Sequence, residues 1–218
     1  MRTRIKICGL TREEDVQAAV QAGADAVGMV FYPPSKRCLD PEQAARLRES
    51  VPPLVDVVAL FVNADASQVD RVVQALRPDW LQFHGDETPA QCAAHGRPFW
   101  RAFRVGAPGL DTADALAQTC ESYADAGAWL FDSFSSGYGG SGLAFDHALL
   151  AGLPAARRNS VILSGGLNAD NVTDAILRSR PWAVDVSSGV ETALGIKSAR
   201  KIDAFVRAVR QADDALSA

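Results

Sequence analysis

The sequence predicts an α/β protein, a single closed (β/α)8 barrel, and three observations carry that prediction. Short runs rich in Val, Ile, Phe and Leu alternate eight times with longer Ala-, Arg-, Glu- and Gln-rich stretches whose apolar residues recur at helical spacing. No composition break, Ser/Gly linker or charge run interrupts this alternation, so residues 1–218 are expected to form one domain. The turn after the first apolar run reads CGLTRE, without the GxGxxG that usually announces an open doubly wound sheet, the alternative architecture. Spread over eight units, the 218 residues give about 27 per unit, against roughly 31 in a typical 250-residue barrel. The expectation is a compact barrel with no room for a second fused domain.

In chain order, strands are expected near 3–8 (TRIKIC), 26–31 (AVGMVF), 55–62 (VDVVALFV) and 79–84 (DWLQFH). Four more follow near 98–104 (PFWRAFR), 128–132 (AWLFD), 160–164 (SVILS) and 183–187 (AVDVS). Helices are expected between and after them, near 11–22, 41–50, 66–76, 88–95, 111–125, 145–151, 169–178 and 198–214. Thr11 with Glu14 three residues on, and Asp65 with Ser67, read as helix starts. Gly23, Gly96 and Gly127 read as helix stops, and the sixth helix is short and ends on a glycine. Eight strands, each followed by a helix, make the TIM-barrel pattern.

The composition narrows the function. With 48% hydrophobic and 22% charged residues the chain is neither disordered nor collagenous. Lys plus Arg total 22 against 26 Asp plus Glu, a net charge of -4, so no nucleic-acid partner is expected. Apolar runs such as 55–62 are far below the roughly 20 residues of a membrane helix, so no membrane association is expected. The N-terminus, MRTRIKICGL, lacks the apolar region and cleavage site of a secretory signal, which suggests a cytoplasmic protein. Cys8, Cys38, Cys92 and Cys120 are widely spaced, which argues against a disulfide framework and against a zinc site.

In such barrels the chemistry sits at the C-terminal ends of the strands. Here those ends are polar: Lys6 and Cys8, Gln82 and His84, Arg104, Asp132, Ser164, Asp185 and Ser187. Strand alternation puts Lys6 with Cys8, Gln82 with His84 and Asp185 with Ser187 on the inner face, while Ile5, Ile7, Leu81, Phe83, Val184 and Val186 turn toward the helices. Leaving each neutral polar group buried and unpaired would cost about 2 to 7 kcal/mol, so the convergence calls for mutual pairing or a ligand. An internal Lys6–Asp185 ion pair without chemistry is one reading of that pair. After strands 7 and 8 come LSGGLN (163–168) and DVSSGVE (185–191). These are the usual phosphate-holding loops, and glycine lets backbone N–H groups approach an anion. A phosphorylated small molecule is therefore the expected ligand, held by Gly165, Gly166, Ser187, Ser188 and Gly189. The loop SFSSGYGGSG (133–142) has the composition of a closing loop or of a passive linker. The loop after strand 2, stiffened by Pro33 and Pro34, presents Arg37, whose fork suits a carboxylate or phosphate.

KICGL (6–10), PPSKR (33–37), QFHGDE (82–87), YGGSG (138–142), LSGGLN, DVSSGVE and GIKS (195–198) together resemble the phosphoribosylanthranilate isomerase family of tryptophan biosynthesis, over the full chain. The resemblance implies an Amadori rearrangement of N-(5'-phosphoribosyl)anthranilate with neither cofactor nor metal. It implies that Asp132 protonates the ring oxygen and that Cys8, as thiolate, removes the C2' proton. It also implies Arg37 at the anthranilate carboxylate, Asp185 near the bridging amine, and Gln82 and His84 on the wall, with a structural hydrogen-bonding role equally open to His84. An acid at neutral pH needs a raised carboxyl pKa and a thiolate base a lowered one. Lys6 is placed either to lower the Cys8 pKa or to neutralise Asp185. Two departures from the family pattern are Cys38, where an aromatic is frequent, and Ser141, where Thr is usual. Cys38, Cys92 and Cys120 read as small apolar residues.

Other readings have their own marks. A Schiff-base aldolase or lyase needs a strand-end lysine, and of Lys6, Lys36, Lys197 and Lys201 only Lys6 qualifies. A non-catalytic phosphate-ligand sensor would be expected to lack Cys8 or Asp132. A metal-dependent epimerase would gather histidines, whereas only His84 of the three ends a strand. The sequence is compatible with a monomer or a homodimer.

Overall fold

A computed structural model describes residues 2–134 and 146–217. The eight expected strands form as β1 (Arg4–Cys8), β2 (Ala26–Phe31), β3 (Asp56–Phe61), β4 (Trp80–Phe83), β5 (Phe99–Val105), β6 (Ala128–Ser133), β7 (Val161–Leu163) and β8 (Ala183–Val186). They run parallel in sequence order and close where β1 meets β8, with Lys6 opposite Asp185. Closure removes both sheet edges and points every second side chain into the barrel.

The outer layer is built from α1 (Glu13–Ala22), α2 (Pro41–Arg48), α3 (Ala66–Leu76), α4 (Pro89–Ala93), α5 (Ala113–Glu121), α6 (Val172–Ser179) and α7 (Ala199–Ser217). Ile5, Ile7, Leu81, Phe83, Val184 and Val186 pack outward with helix residues such as Val16, Val69, Ile176 and Phe205 in one continuous core. Asp65 caps α3 through the Gln68 amide, 2.8 Å away, as the sequence suggests. Gly23 ends α1 in the left-handed conformation at φ 94.

Several local readings are corrected. Thr11 does not cap α1; its hydroxyl donates to the Gly195 carbonyl at 2.8 Å, and Arg12 occupies the cap without a side-chain bond. Gly127 stops no helix, because α5 already ends at Glu121; a Cβ there would lie 2.6 Å from the Trp80 ring. Where the sixth helix was expected, two 3-10 turns, His147–Gly152 and Ala155–Ser160, connect to β7. The first part of that expected helix, and most of the 133–142 loop with its YGGSG motif, lie outside the described residues. A small hairpin, β9 (Glu191–Ala193) and β10 (Ile196–Lys197), was not foreseen and precedes α7.

Candidate active site

The barrel interior is layered. Its lower part is apolar, with Val58, Trp100, Ala102, Leu130 and Ile162 packed together and flanked by Trp80 and Trp182. Above them the barrel carries Lys6, Cys8, Gln82, Asp132, Ser164 and Asp185, all buried. A cavity opens at this upper end, lined by Cys8, His84, Asp132, Asp185 and Arg37, and by Gly165, Gly166, Ser187 and Ser188 from the two glycine loops. Tyr32, Ser35, Ser164 and Leu167 complete much of its wall. Lys6, Gln82 and Gly189 stand behind this lining. Arg104, also a strand-end residue, lies 3.3 Å from Asp86 and stacks over Phe134.

Two polar arrangements form much of the cavity floor. Lys6 Nζ donates to Asp185 Oδ1 at 2.7 Å, and Ser164 Oγ donates to Asp185 Oδ2 at 3.3 Å. Burial works against the ammonium charge, but Asp185 and Cys8 outweigh it and hold the Lys6 pKa above its ordinary value. Lys6 therefore neutralises Asp185 and also faces Cys8. The Cys8 thiol is nonetheless pushed up, because burial dominates; Lys6 pulls it down and Asp185 pushes it further up. The expectation that Lys6 lowers the thiol holds for its contribution and not for the net result.

On the opposite strands a short relay runs from Gln82 to Asp132. Gln82 Nε2 lies 3.1 Å from His84 Nδ1, and His84 Nε2 lies 3.2 Å from Asp132 Oδ2. Asp132 Oδ1 accepts from the Ser133 amide at 2.9 Å. Gln82 Oε1 has no hydrogen-bond partner among the described residues, so a turn of this amide lets Gln82 serve either neutral tautomer of His84. His84 thus both lines the cavity and orients the carboxyl beside it.

Some contributors carried a faint sequence signal and others none. Gly28 sits inside β2, and a Cβ there would come within 2.8 Å of Cys8 Sγ; a glycine inside a strand is the usual mark of such a close approach. Gly165, at φ 87, lets its loop lie against the Ser133 amide next to Asp132. Gly189 packs against the Leu167 carbonyl, which draws the two glycine loops together. Glu87 and Arg101 form a buried pair at 3.0 Å, and Arg101 also donates to the Phe83 and Gly85 carbonyls, which fixes the loop after His84. Nothing local in the sequence reveals that pair.

Cys92 and Cys120 are buried in the helix layer, where burial pushes both thiols up to about 12, and Cys38 is half-buried in the loop between β2 and α2. Among the described residues no group of three His, Cys, Asp or Glu side chains is arranged to hold a metal ion, and no helix is long and apolar enough to cross a membrane.

Comparisons with known proteins agree with this fold. The family model described as N-(5'phosphoribosyl)anthranilate (PRA) isomerase matches residues 5–208. An N-(5'-phosphoribosyl)anthranilate isomerase of Bordetella petrii is 64% identical over 217 residues, covering 99% of each chain. The crystal structure of phosphoribosyl anthranilate isomerase from Thermotoga maritima superposes with a TM-score of 0.84 at 36% identity, covering 96% of this chain and 99% of that one. A further structure of such an isomerase, in complex with reduced 1-(o-carboxyphenylamino)-1-deoxyribulose 5-phosphate, superposes at 0.80 with 33% identity and the same coverage. An eight-stranded parallel barrel, a polar mouth flanked by two glycine loops, and a match along nearly the whole length lead to one conclusion: the chain belongs to the N-(5'-phosphoribosyl)anthranilate isomerase family.

Proposed function

We propose that the protein isomerises N-(5'-phosphoribosyl)anthranilate to 1-(2-carboxyphenylamino)-1-deoxyribulose 5-phosphate in tryptophan biosynthesis, by general acid and base catalysis in the cytoplasm. The observation that carries this reading is the meeting of Cys8, Asp132, Arg37 and both glycine loops around one cavity, in a chain of this family. A relative bound to a reduced product-like phosphate supports the ligand class.

In this mechanism Asp132 gives its proton to the ribose ring oxygen, the ring C–O bond breaks, and the nitrogen lone pair forms a protonated imine. Cys8 then removes the C2' proton, and the C–H electron pair neutralises the imine to an enolamine, which tautomerises to the ketone. The thiol raised by burial fits this order. The cationic imine supplies, beside Lys6, the positive charge that makes the thiolate favourable at the moment it is needed. His84 and Gln82 hold the acid in place, Asp185 stands near the bridging amine with Lys6 as its counter-charge, and Arg37 takes the aromatic carboxylate. The backbones of Gly165, Gly166, Ser187, Ser188 and Gly189 take the phosphate, which backbone N–H groups hold without a basic patch.

The test follows the loss of anthranilate fluorescence with freshly made substrate. Wild type should turn over, while Cys8→Ala and Asp132→Asn should each lose about 10²- to 10⁴-fold in kcat, the usual share of one acid or base. Near wild-type turnover in both variants would sink the assignment.

A further inference from the structure

Two motif residues have no part in the reaction described above: Glu191, which closes DVSSGVE, and Lys197, in GIKS. Both are buried, and they meet at Arg37. Glu191 accepts from Arg37 Nε at 2.7 Å and from Arg37 Nη2 at 2.8 Å, a bidentate pair spanning 154 residues of sequence. Lys197 Nζ donates to the same carboxylate at 2.8 Å and to the Ser187 carbonyl at 3.1 Å. The β9–β10 hairpin brings this acid under the loop after β2. Thr11 holds the Gly195 carbonyl, Gly195 packs on the Lys36 carbonyl, and Lys201 donates to the Glu191 carbonyl at 2.6 Å.

A guanidinium has two usable edges. Glu191 occupies the Nε/Nη2 edge, and among the described residues Nη1 has no hydrogen-bond partner, so the Nη1/Nη2 edge is the one left for a ligand. Within the trio one negative charge sits between two positive ones, which leaves a net positive charge beside the cavity that Arg37 lines. Without Glu191, Arg37 and Lys197 would repel each other and the arginine would lose its orientation.

We propose that Glu191, braced by Lys197, is a positioning residue that sets selectivity for the substrate's aromatic carboxylate by fixing the direction of the Arg37 fork. This rests on the assignment of Arg37 to that carboxylate. Glu191 touches no substrate atom, and its effect is confined to the ligand group that Arg37 meets.

The test compares two ligands by calorimetry: reduced 1-(o-carboxyphenylamino)-1-deoxyribulose 5-phosphate and its aniline-derived counterpart, which lacks the carboxylate. Glu191→Gln should weaken the first about tenfold and the second less than about twofold, and KM for substrate should rise far more than kcat falls. In an Arg37→Met background the same substitution should add no ligand-selective loss. Glu191→Asp keeps the charge on an arm too short to hold the same edge of the fork and should also weaken the first ligand more than the second, which provides the test if Glu191→Gln does not fold. Equal weakening of both ligands, or of neither, by the variant that folds overturns the proposal. A wild type that binds both ligands equally overturns the carboxylate assignment of Arg37 itself, and a wild type that turns over no substrate overturns the proposed function.

Discussion

The two halves of the barrel interior share the same strands and are made for different ends. The lower half is closed by Val58, Trp100, Leu130 and Ile162, side chains whose only contribution is packed apolar surface. The upper half sets Asp132 and Ser164 two residues beyond Leu130 and Ile162 and Gln82 two residues beyond Trp80, and adds Lys6, Cys8 and Asp185 from the seam. The lower half holds the strands at fixed spacing, and the upper half uses that spacing to bring polar groups together that would be costly to bury singly. Stability and chemistry are therefore separable along the barrel axis, and substitutions at the two levels should behave differently.

The largest departure from clean separation is expected at Lys6. It is only 2% exposed and paired with Asp185, so Lys6→Met leaves a buried carboxylate without its counter-charge and should destabilise the fold by about 3 to 5 kcal/mol. The Lys6 pKa is raised in the folded state. Its stabilising share is thus full below its ordinary value of 10.5 and fades as pH rises through the folded value, so a denaturant series at rising alkaline pH should show wild type and variant converging. The same variant removes the group that pulls the Cys8 thiol down, so iodoacetamide labelling of Cys8 should move to still higher pH. A labelling profile that does not move would assign Lys6 to Asp185 alone.

A lower-level substitution sharpens the contrast. Leu130→Ala opens a fully buried position below Asp132 and should cost about 2 to 5 kcal/mol in denaturant melts. Turnover of the folded fraction should stay within about twofold of wild type, because the strand spacing above is set by seven other strands as well. A large fall in kcat for the folded fraction would mean that the two levels are coupled.

The smallest expected stability effect comes with a visible effect on chemistry. Gly28→Ala places a methyl 2.8 Å from Cys8 Sγ and 3.1 Å from the Lys6 side chain, in the upper level. The overpacking should cost about 1 to 3 kcal/mol, while displacement of the thiol should lower kcat by about tenfold or more. Wild-type kcat in this variant would show that the Cys8 thiol has room to shift without loss.

Much of this was legible in the sequence because it rests on local periodicity. The alternation of strand and helix fixes the count of units, and a period of two within each strand fixes which residues turn inward. Lys6 with Cys8, Gln82 with His84 and Asp185 with Ser187 follow from that rule once the barrel closes. The sixth helix failed the same reasoning, since a short segment ending in Leu-Ala-Gly supports single 3-10 turns as well as an α-helix. The reading of Thr11 as a cap failed because its hydroxyl finds a carbonyl 184 residues away.

The sequence alone thus determined the fold class, the inward set of polar residues, and the two glycine loops at the mouth, each a consequence of spacing along the chain. Only the tertiary structure decided which of those polar groups pair. It joined Lys6 to Asp185 across the barrel seam, His84 to Asp132 from the end of β4 to β6, and Arg37 in the loop after β2 to Glu191 at the start of β9. Such pairs span tens to more than a hundred residues, and their formation depends on strand register and loop approach, quantities that no local pattern encodes.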